Sequence, residues 1–324
     1  MKKAFITGGT GFVGSHLIDF LLAQRGIEIF ALVRDPNNLK WLNGLNIHIL
    51  KGDLFSIPAL PAGLDTVFHL AGLTKALKSE NYYTVNQKGT ASLFENLKAR
   101  GLSPKVIHLS SLSAGGPSSG DAGVSEEATP HPVSPYSMSK LRGEEEALKY
   151  KSEMPVIIVR VGGVYGPRDE DFFQYFRAVQ KGLLASLGGG VRPSSLCYVK
   201  DLCRALTLIA DAPLKSGEIF NIAASISTTY EELGQAVANE MGKKPVIIRF
   251  PIPLSYLAAL GSEILSRVKR KPAAFSLDKW MILKQKGWVA DVRKAETILS
   301  FKTRYSLEEG VRETLAWYRE NNWL

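Results

Sequence analysis

Lys3-Ala4-Phe5-Ile6-Thr7-Gly8-Gly9-Thr10-Gly11-Phe12-Val13-Gly14 opens the chain with a short apolar strand and a glycine-rich turn. Leu17, Ile18, Leu21 and Leu22 then recur at helical spacing between Ser15 and Gln24, and Gly26 closes the run. Strand, glycine turn and helix in this order form the context that a dinucleotide-binding turn requires. Gly8 permits the tight turn, Gly11 lets the backbone approach a pyrophosphate, and Gly14 lets the helix pack on the strand. The helix start adds amide donors and the positive end of its dipole. The spacing is Gly-x-x-Gly-x-x-Gly rather than Gly-x-Gly-x-x-Gly, and a ligand-free glycine turn is the alternative. The flanking elements favour the cofactor reading, with Gly8, Thr10, Gly11, Phe12, Val13 and Gly14 as the contact set.

Further strands follow, alternating with helical stretches, as an α/β parallel sheet requires. Ile27 to Val33 ends in Arg34-Asp35-Pro36. An acid at this strand end bonds the ribose hydroxyls of NAD. Val33 stands there instead, and the Arg34 guanidinium suits a 2′-phosphate, so NADP(H) is favoured over NAD(H). Arg34 stacked on adenine or facing water is the alternative. Ile47 to Leu50 precedes Asp53 and Leu54, where a carboxylate can accept from the adenine amino group. Asp65 to His69 precedes Leu70, Ala71 and Gly72, small enough to let cofactor lie against the backbone. His69 reads as a packed histidine. Asn81 to Ala99 reads as one helix carrying Asn86. Val106 to Leu109 leads into Ser110 and Ser111, at the strand end where such folds keep their chemistry.

Ser134-Pro135-Tyr136-Ser137-Met138-Ser139-Lys140 reads as a helix start, with Ser134 as cap and Pro135 in the first position. Residues four apart share a helix face, so the Lys140 ammonium is expected beside the Tyr136 phenol. A nearby ammonium lowers a tyrosine pKa from about 10. Such a pair is a candidate proton shuttle, and Ser111 is a candidate donor to the same substrate oxygen. An amphipathic helix with a solvated lysine is the plain alternative.

Gly115 to Pro135 reads as a loop over the site, and Val156 to Val161 as a sixth strand. Phe172, Phe173, Tyr175 and Phe176 read mainly as core. Leu196 to Val199 is read as a strand, Asp201 as the cap of the next helix, and Gly217 to Ile222 as the last strand. Thr228 to Met241 reads as a helix and Val246 to Phe250 as a strand. Ile252 to Val268 is an apolar helix running into the basic run that ends at Lys271. It reads as packed over the pocket, with a helix lying on a membrane surface as the alternative. Helices near Arg293 to Leu299 and Leu307 to Asn321 complete the chain.

The 324 residues carry a formal charge of +9, with Lys and Arg scattered apart from the run at Arg267 to Lys271. That pattern suits anionic small molecules and argues against nucleic acid as a partner. Cys197 and Cys203 have neither metal-ligand nor redox spacing, so reduced thiols, no metal site and a cytoplasmic location are expected. The short apolar start resembles no signal peptide, and no apolar run is long enough to span a bilayer.

Taken in order, Thr7 to Gly14, Gly52-Asp53-Leu54, His69 to Gly72, Ser110-Ser111, Tyr136 to Lys140 and Arg160…Val164-Tyr165-Gly166-Pro167 resemble the extended short-chain dehydrogenase/reductases. The resemblance spans nearly the whole chain. It implies a Rossmann domain over 1–170 and about 196–224. A smaller, mostly helical substrate lobe would take about 171–195 and 225–324. It also implies a catalytic set of Ser111, Tyr136 and Lys140, with Tyr136, Lys140 and Asn86 also near the cofactor, and a common habit of dimerising through a helix pair. Nucleotide-sugar 4-epimerases and dehydratases of the family usually carry Asn where Gly163 stands. They often carry a diphosphate-gripping arginine where Ser194 stands, with Arg192 displaced by two. Leu112-Ser113 replaces the Asp-Glu of sugar dehydratases. Gly163 to Asp169 and the 252–268 helix resemble 3β-hydroxysteroid dehydrogenases, and Val33 to Pro36 resembles dihydroflavonol-4-reductase relatives. Hydride transfer between nicotinamide and a secondary alcohol or ketone is therefore the expected activity. A nucleotide-sugar 4-epimerase with tightly held NAD is the alternative. A non-catalytic sensor or subunit is a third, though such relatives usually lose the Tyr/Lys pair.

Overall fold

The computed structural model describes all residues except Arg25, Gly189 and Ala274. Six strands, β1 (Lys3–Thr7), β2 (Glu28–Val33), β3 (His48–Lys51), β4 (Thr66–His69), β5 (Lys105–Ser111) and β6 (Val156–Val161), join the late strand Ile219–Ile222 in one parallel sheet. Their spatial order is Ile219–Ile222, β6, β5, β4, β1, β2, β3. The chain thus leaves β1 toward one edge and returns at β4 to build toward the other. The crevice between β1 and β4 is the switch point where such sheets bind ligands.

Alternation of side chains lets each strand bury both faces. On β6, Ile157, Val159 and Val161 enter one apolar cluster with Ile6, Leu17 and Ile18. Val156 and Ile158 enter the opposite cluster with Phe5, Val67, Leu93 and Phe94. The first cluster continues through Phe176, Leu233, Val311 and Tyr318, so the C-terminal helices share the core of the sheet.

Several local expectations are revised. The region read as one helix over 81–99 is helix Ser79–Tyr82, a π-helical turn Tyr83–Lys88 and helix Gly89–Ala99. Asp201 does not cap its helix. The cap position is Tyr198, and the Asp201 carboxylate accepts the N–H groups of Arg304 (2.9 Å) and Tyr305 (3.2 Å). Thr228–Thr229 is a two-residue strand, and Thr229 with Glu232 forms a capping box for helix Tyr230–Glu240. A helix at Leu277–Leu283, capped by Ser276, was not expected from the sequence.

The largest revision concerns the Ile252–Lys269 helix. It turns Ser255, Ala259 and Ser266 inward and leaves Leu254, Leu257, Ile264, Leu265 and Val268 exposed. Its inner face of small residues meets the Leu277–Leu283 helix, where the Trp280 ring N–H donates to Ser255 Oγ (3.0 Å). The helix packs through this face, with Ala259 buried and the Tyr256 ring edge-on to Trp280 at 5.1 Å, while most of its apolar stripe lies on the other side.

Candidate active site

The sequence-read site residues lie at the C-terminal ends of β1 to β5 or on segments packed against them. Gly8, with φ +75°, presses its turn against the backbone after β4. A Cβ there would lie 2.7 Å from the Ala71 nitrogen. A Cβ on Gly14 would lie 2.2 Å from the Gly8 carbonyl oxygen, so the helix can start this close to the strand only with glycine. The helix Phe12–Leu22 has Gly11 at its cap position and no side-chain cap. Its first amides are thus left to a ligand or solvent, as a pyrophosphate site requires. Thr7 Oγ1 ties the crevice together, meeting His69 Nδ1 at 2.8 Å and accepting the Ala71 N–H at 3.2 Å. His69 is buried and also meets Thr90 Oγ1 at 3.0 Å, and burial pushes its pKa down to about 3. It is the packed histidine the sequence suggested.

Arg34 is exposed directly beyond β2. One Asp53 oxygen accepts the N–H groups of Phe55 (2.8 Å) and Ser56 (2.9 Å), and these two bonds use Oδ1 only. The Leu54 side chain is buried, and a Cβ on Gly89 would strike it at 2.6 Å. Leu54 therefore packs inward, under Gly89. Asn86 sits in the π-helical turn. Its carbonyl accepts the Leu73 N–H (2.8 Å), and its amide donates to Leu73 O (3.1 Å) and Ser139 Oγ (2.9 Å). Asn86 thus clamps the loop after β4 onto the Tyr136 helix, with its hydrogen bonds spent inside the protein.

The helix Pro135–Leu148 begins as expected, with Ser134 Oγ accepting the Ser137 N–H. Three links bolt it to the sheet. Lys140 Nζ donates to the Leu109 carbonyl on β5 (2.7 Å). Ser110 Oγ donates to Glu144 (2.5 Å), and the buried Glu144 pairs with the buried Arg160 of β6 at 2.7 Å. Ser111 Oγ accepts both the N–H (3.2 Å) and the hydroxyl (3.0 Å) of Ser113. A hydroxyl has two acceptor sites and one proton, so Ser111 is left as a donor.

Burial pushes the Lys140 pKa down to about 8, against the pull of Glu144. Burial pushes Tyr136 up to about 12; a hydrogen bond with Ser111 lowers it, and the carboxylates of Asp278 and Asp171 raise it further. The expected lowering of the Tyr136 pKa by Lys140 is absent here, because the ammonium is held on the Leu109 carbonyl and burial dominates.

Sequence reading missed two groups at this site. Asp278 Oδ1 accepts the Tyr136 N–H at 2.9 Å, and the Tyr82 ring stands edge-on to the Tyr136 ring at 5.7 Å. Neither carries a motif. Among the described residues, no cluster of three or more His, Cys, Asp or Glu has the geometry to hold a metal.

A parallel sheet of this order, with a glycine turn at its switch point and Ser111, Tyr136 and Lys140 at its edge, defines an extended short-chain dehydrogenase/reductase. The model of the NAD dependent epimerase/dehydratase family matches residues 4–223, and the chain belongs to that family. It is 29% identical over 324 residues to the ceramide reductase of Caulobacter vibrioides, covering 98% of this chain and 95% of that protein. It is 26% identical over 329 residues to a decarboxylating sterol-4-alpha-carboxylate 3-dehydrogenase of Schizosaccharomyces pombe, covering 95% of each. Among solved structures it resembles MoeE5 in complex with UDP-glucuronic acid and NAD. The TM-score is 0.77 and the identity 26%, over 98% of this chain and 99% of that one.

Proposed function

We propose that the protein is an NAD(P)-dependent oxidoreductase acting on a secondary alcohol or ketone of apolar or amphipathic character. The observation that carries this over a nucleotide-sugar epimerase is the state of Arg192. Its guanidinium donates to the carbonyls of Leu187 (2.9 Å), Lys284 (3.1 Å) and Gln285 (2.9 Å). An arginine spent on three carbonyls is a poor grip for a diphosphate. Gly163 supports the same reading. The asparagine usual at this position in nucleotide-sugar enzymes is absent here. Similarity to a ceramide reductase and a sterol dehydrogenase agrees with an apolar substrate.

The glycine turn and the first amides of the Phe12–Leu22 helix would hold the pyrophosphate, with Asp53 at the adenine and the small Ala71 and Gly72 letting the cofactor lie against the backbone. Bound nicotinamide would supply the hydride-exchanging carbon and, when oxidised, a positive charge near the phenol. Arg34 at the adenine ribose end gives a preference for NADP(H). Tyr136 exchanges a proton between its phenol oxygen and the substrate oxygen. Ser111, with both acceptor sites occupied by Ser113, donates to that same oxygen as charge develops. Lys140 positions the phenol through its bond to the β5 backbone.

Resemblance to MoeE5 with UDP-glucuronic acid and NAD supports the second reading, an epimerase that keeps its cofactor. Incubation with NADPH and long-chain ketones, or NADP and the matching alcohols, separates the two. Net oxidation or reduction of the nicotinamide is expected. Isomerisation of a UDP-sugar with no net nicotinamide change would overturn the oxidoreductase reading.

A further inference from the structure

The Ile252–Lys269 helix is amphipathic in the reverse sense for a helix on a globular protein. Residues 254, 257, 261, 264, 265 and 268 recur at spacings of three and four, apart from the adjacent pair 264–265, and so form one stripe. Leu254, Leu257, Ile264, Leu265 and Val268 of that stripe are exposed, Val268 by 77%. The buried positions are Ser255, Ala259 and Ser266. The strand Val246–Phe250, joined to the helix through Pro251, is exposed at all five residues. Exposed apolar surface this continuous marks a docking face.

Charge identifies the occupant. Residues 242–271 hold seven cations, Lys243, Lys244, Arg249, Arg267, Lys269, Arg270 and Lys271, and one carboxylate, Glu263. Arg249 pairs with Glu231 and Arg267 with Glu263. Lys269, Arg270 and Lys271 are exposed at the helix end and make no salt bridge among the described residues. Apolar side chains flanked by unpaired cations complement acyl chains and anionic headgroups. The helix does not cross the bilayer, since no described helix is long and apolar enough to do so.

We infer that the exposed stripe of the Ile252–Lys269 helix seats the protein in the plane of an anionic lipid bilayer, with Lys269, Arg270 and Lys271 on the headgroups. This goes beyond the catalytic reading and stands independently of it. The helix is nonetheless coupled to the site. Its Ser255 holds Trp280, and the same Leu277–Leu283 helix supplies Asp278 to the Tyr136 amide.

The test is co-sedimentation of the full chain with vesicles of phosphatidylcholine alone and of phosphatidylcholine with phosphatidylglycerol. Binding is expected to the anionic vesicles only, and to weaken with added salt. The triple variant Lys269→Ala, Arg270→Ala, Lys271→Ala is expected to bind roughly a hundredfold more weakly. Leu257→Asp with Leu265→Asp should abolish binding while leaving the thermal midpoint and NADH binding unchanged, since both side chains are exposed. Absence of binding to anionic vesicles, or binding that both variants retain, overturns the inference. So does a dimer, in place of vesicle binding, that Leu257→Asp dissociates, because the stripe is then a surface between two copies.

Discussion

The Asp278 carboxylate accepts the backbone N–H of Tyr136 at 2.9 Å across 142 residues of sequence. Pro135 has no N–H, Ser134 takes that of Ser137, and Asp278 takes the one between them. The C-terminal segment thereby completes the cap of the helix that presents the phenol. Its negative charge also sits where it opposes phenolate.

Asp278→Asn keeps an acceptor for the Tyr136 amide and removes that charge. Phenolate formation becomes easier, so the Tyr136 pKa falls and the alkaline limb of ketone reduction, where the phenol is the acid, moves to lower pH. Spectrophotometric titration of the phenol in the variant checks the sign. An unchanged or higher pKa would contradict the coupling.

Tyr136→Phe removes the proposed proton carrier and leaves the glycine turn untouched. Turnover is expected to drop by about a hundredfold to ten-thousandfold, the usual range for a positioned acid–base group. NADPH affinity should stay within a factor of a few. Undiminished turnover would assign the chemistry elsewhere.

Glu144→Gln leaves the Arg160 guanidinium buried without its carboxylate. Breaking one side of a buried pair costs about 3–5 kcal/mol. Urea unfolding of the variant measures it; a loss below about 1 kcal/mol would mean that solvent reaches Arg160.

His16, His69 and His108 are held neutral by burial, His16 with a pKa of about 4, His69 about 3 and His108 well below its usual value. Each binds its proton more readily unfolded, so stability is complete above pH about 6.5 and falls as pH drops toward the folded values. Between pH 7.5 and 5.5 stability is expected to fall, because the unfolded chain takes up protons on these imidazoles that the folded protein refuses. Urea midpoints at these two pH values test this, and a flat profile would contradict it.

Legibility in the sequence followed locality. The glycine turn, the apolar pattern of the six strands and the Ser134–Pro135 helix start are each written in residues a few apart and were readable from spacing, although the strands pair over tens of residues. What required tertiary contacts was hidden. Nothing in Ser276-Leu277-Asp278 announces that its carboxylate meets Tyr136. The apolar run 252–268 showed its period but not its direction, because which face is buried depends on Trp280 and Leu277 meeting Ser255 and Glu263. The Tyr136–Lys140 spacing placed both residues on one helix face, yet the ammonium is held on the Leu109 carbonyl, which belongs to β5.

Titration of the purified protein with NADPH and NADH, following nicotinamide fluorescence, bears most directly on the proposed activity, alongside a check for cofactor retained through purification. Free exchange is expected, with NADPH bound more tightly than NADH. Arg34→Ser should weaken NADPH by about tenfold to a hundredfold, the value of hydrogen bonds to a charged group, and leave NADH unchanged. NAD that stays bound through purification and does not exchange would contradict the oxidoreductase reading and favour an epimerase.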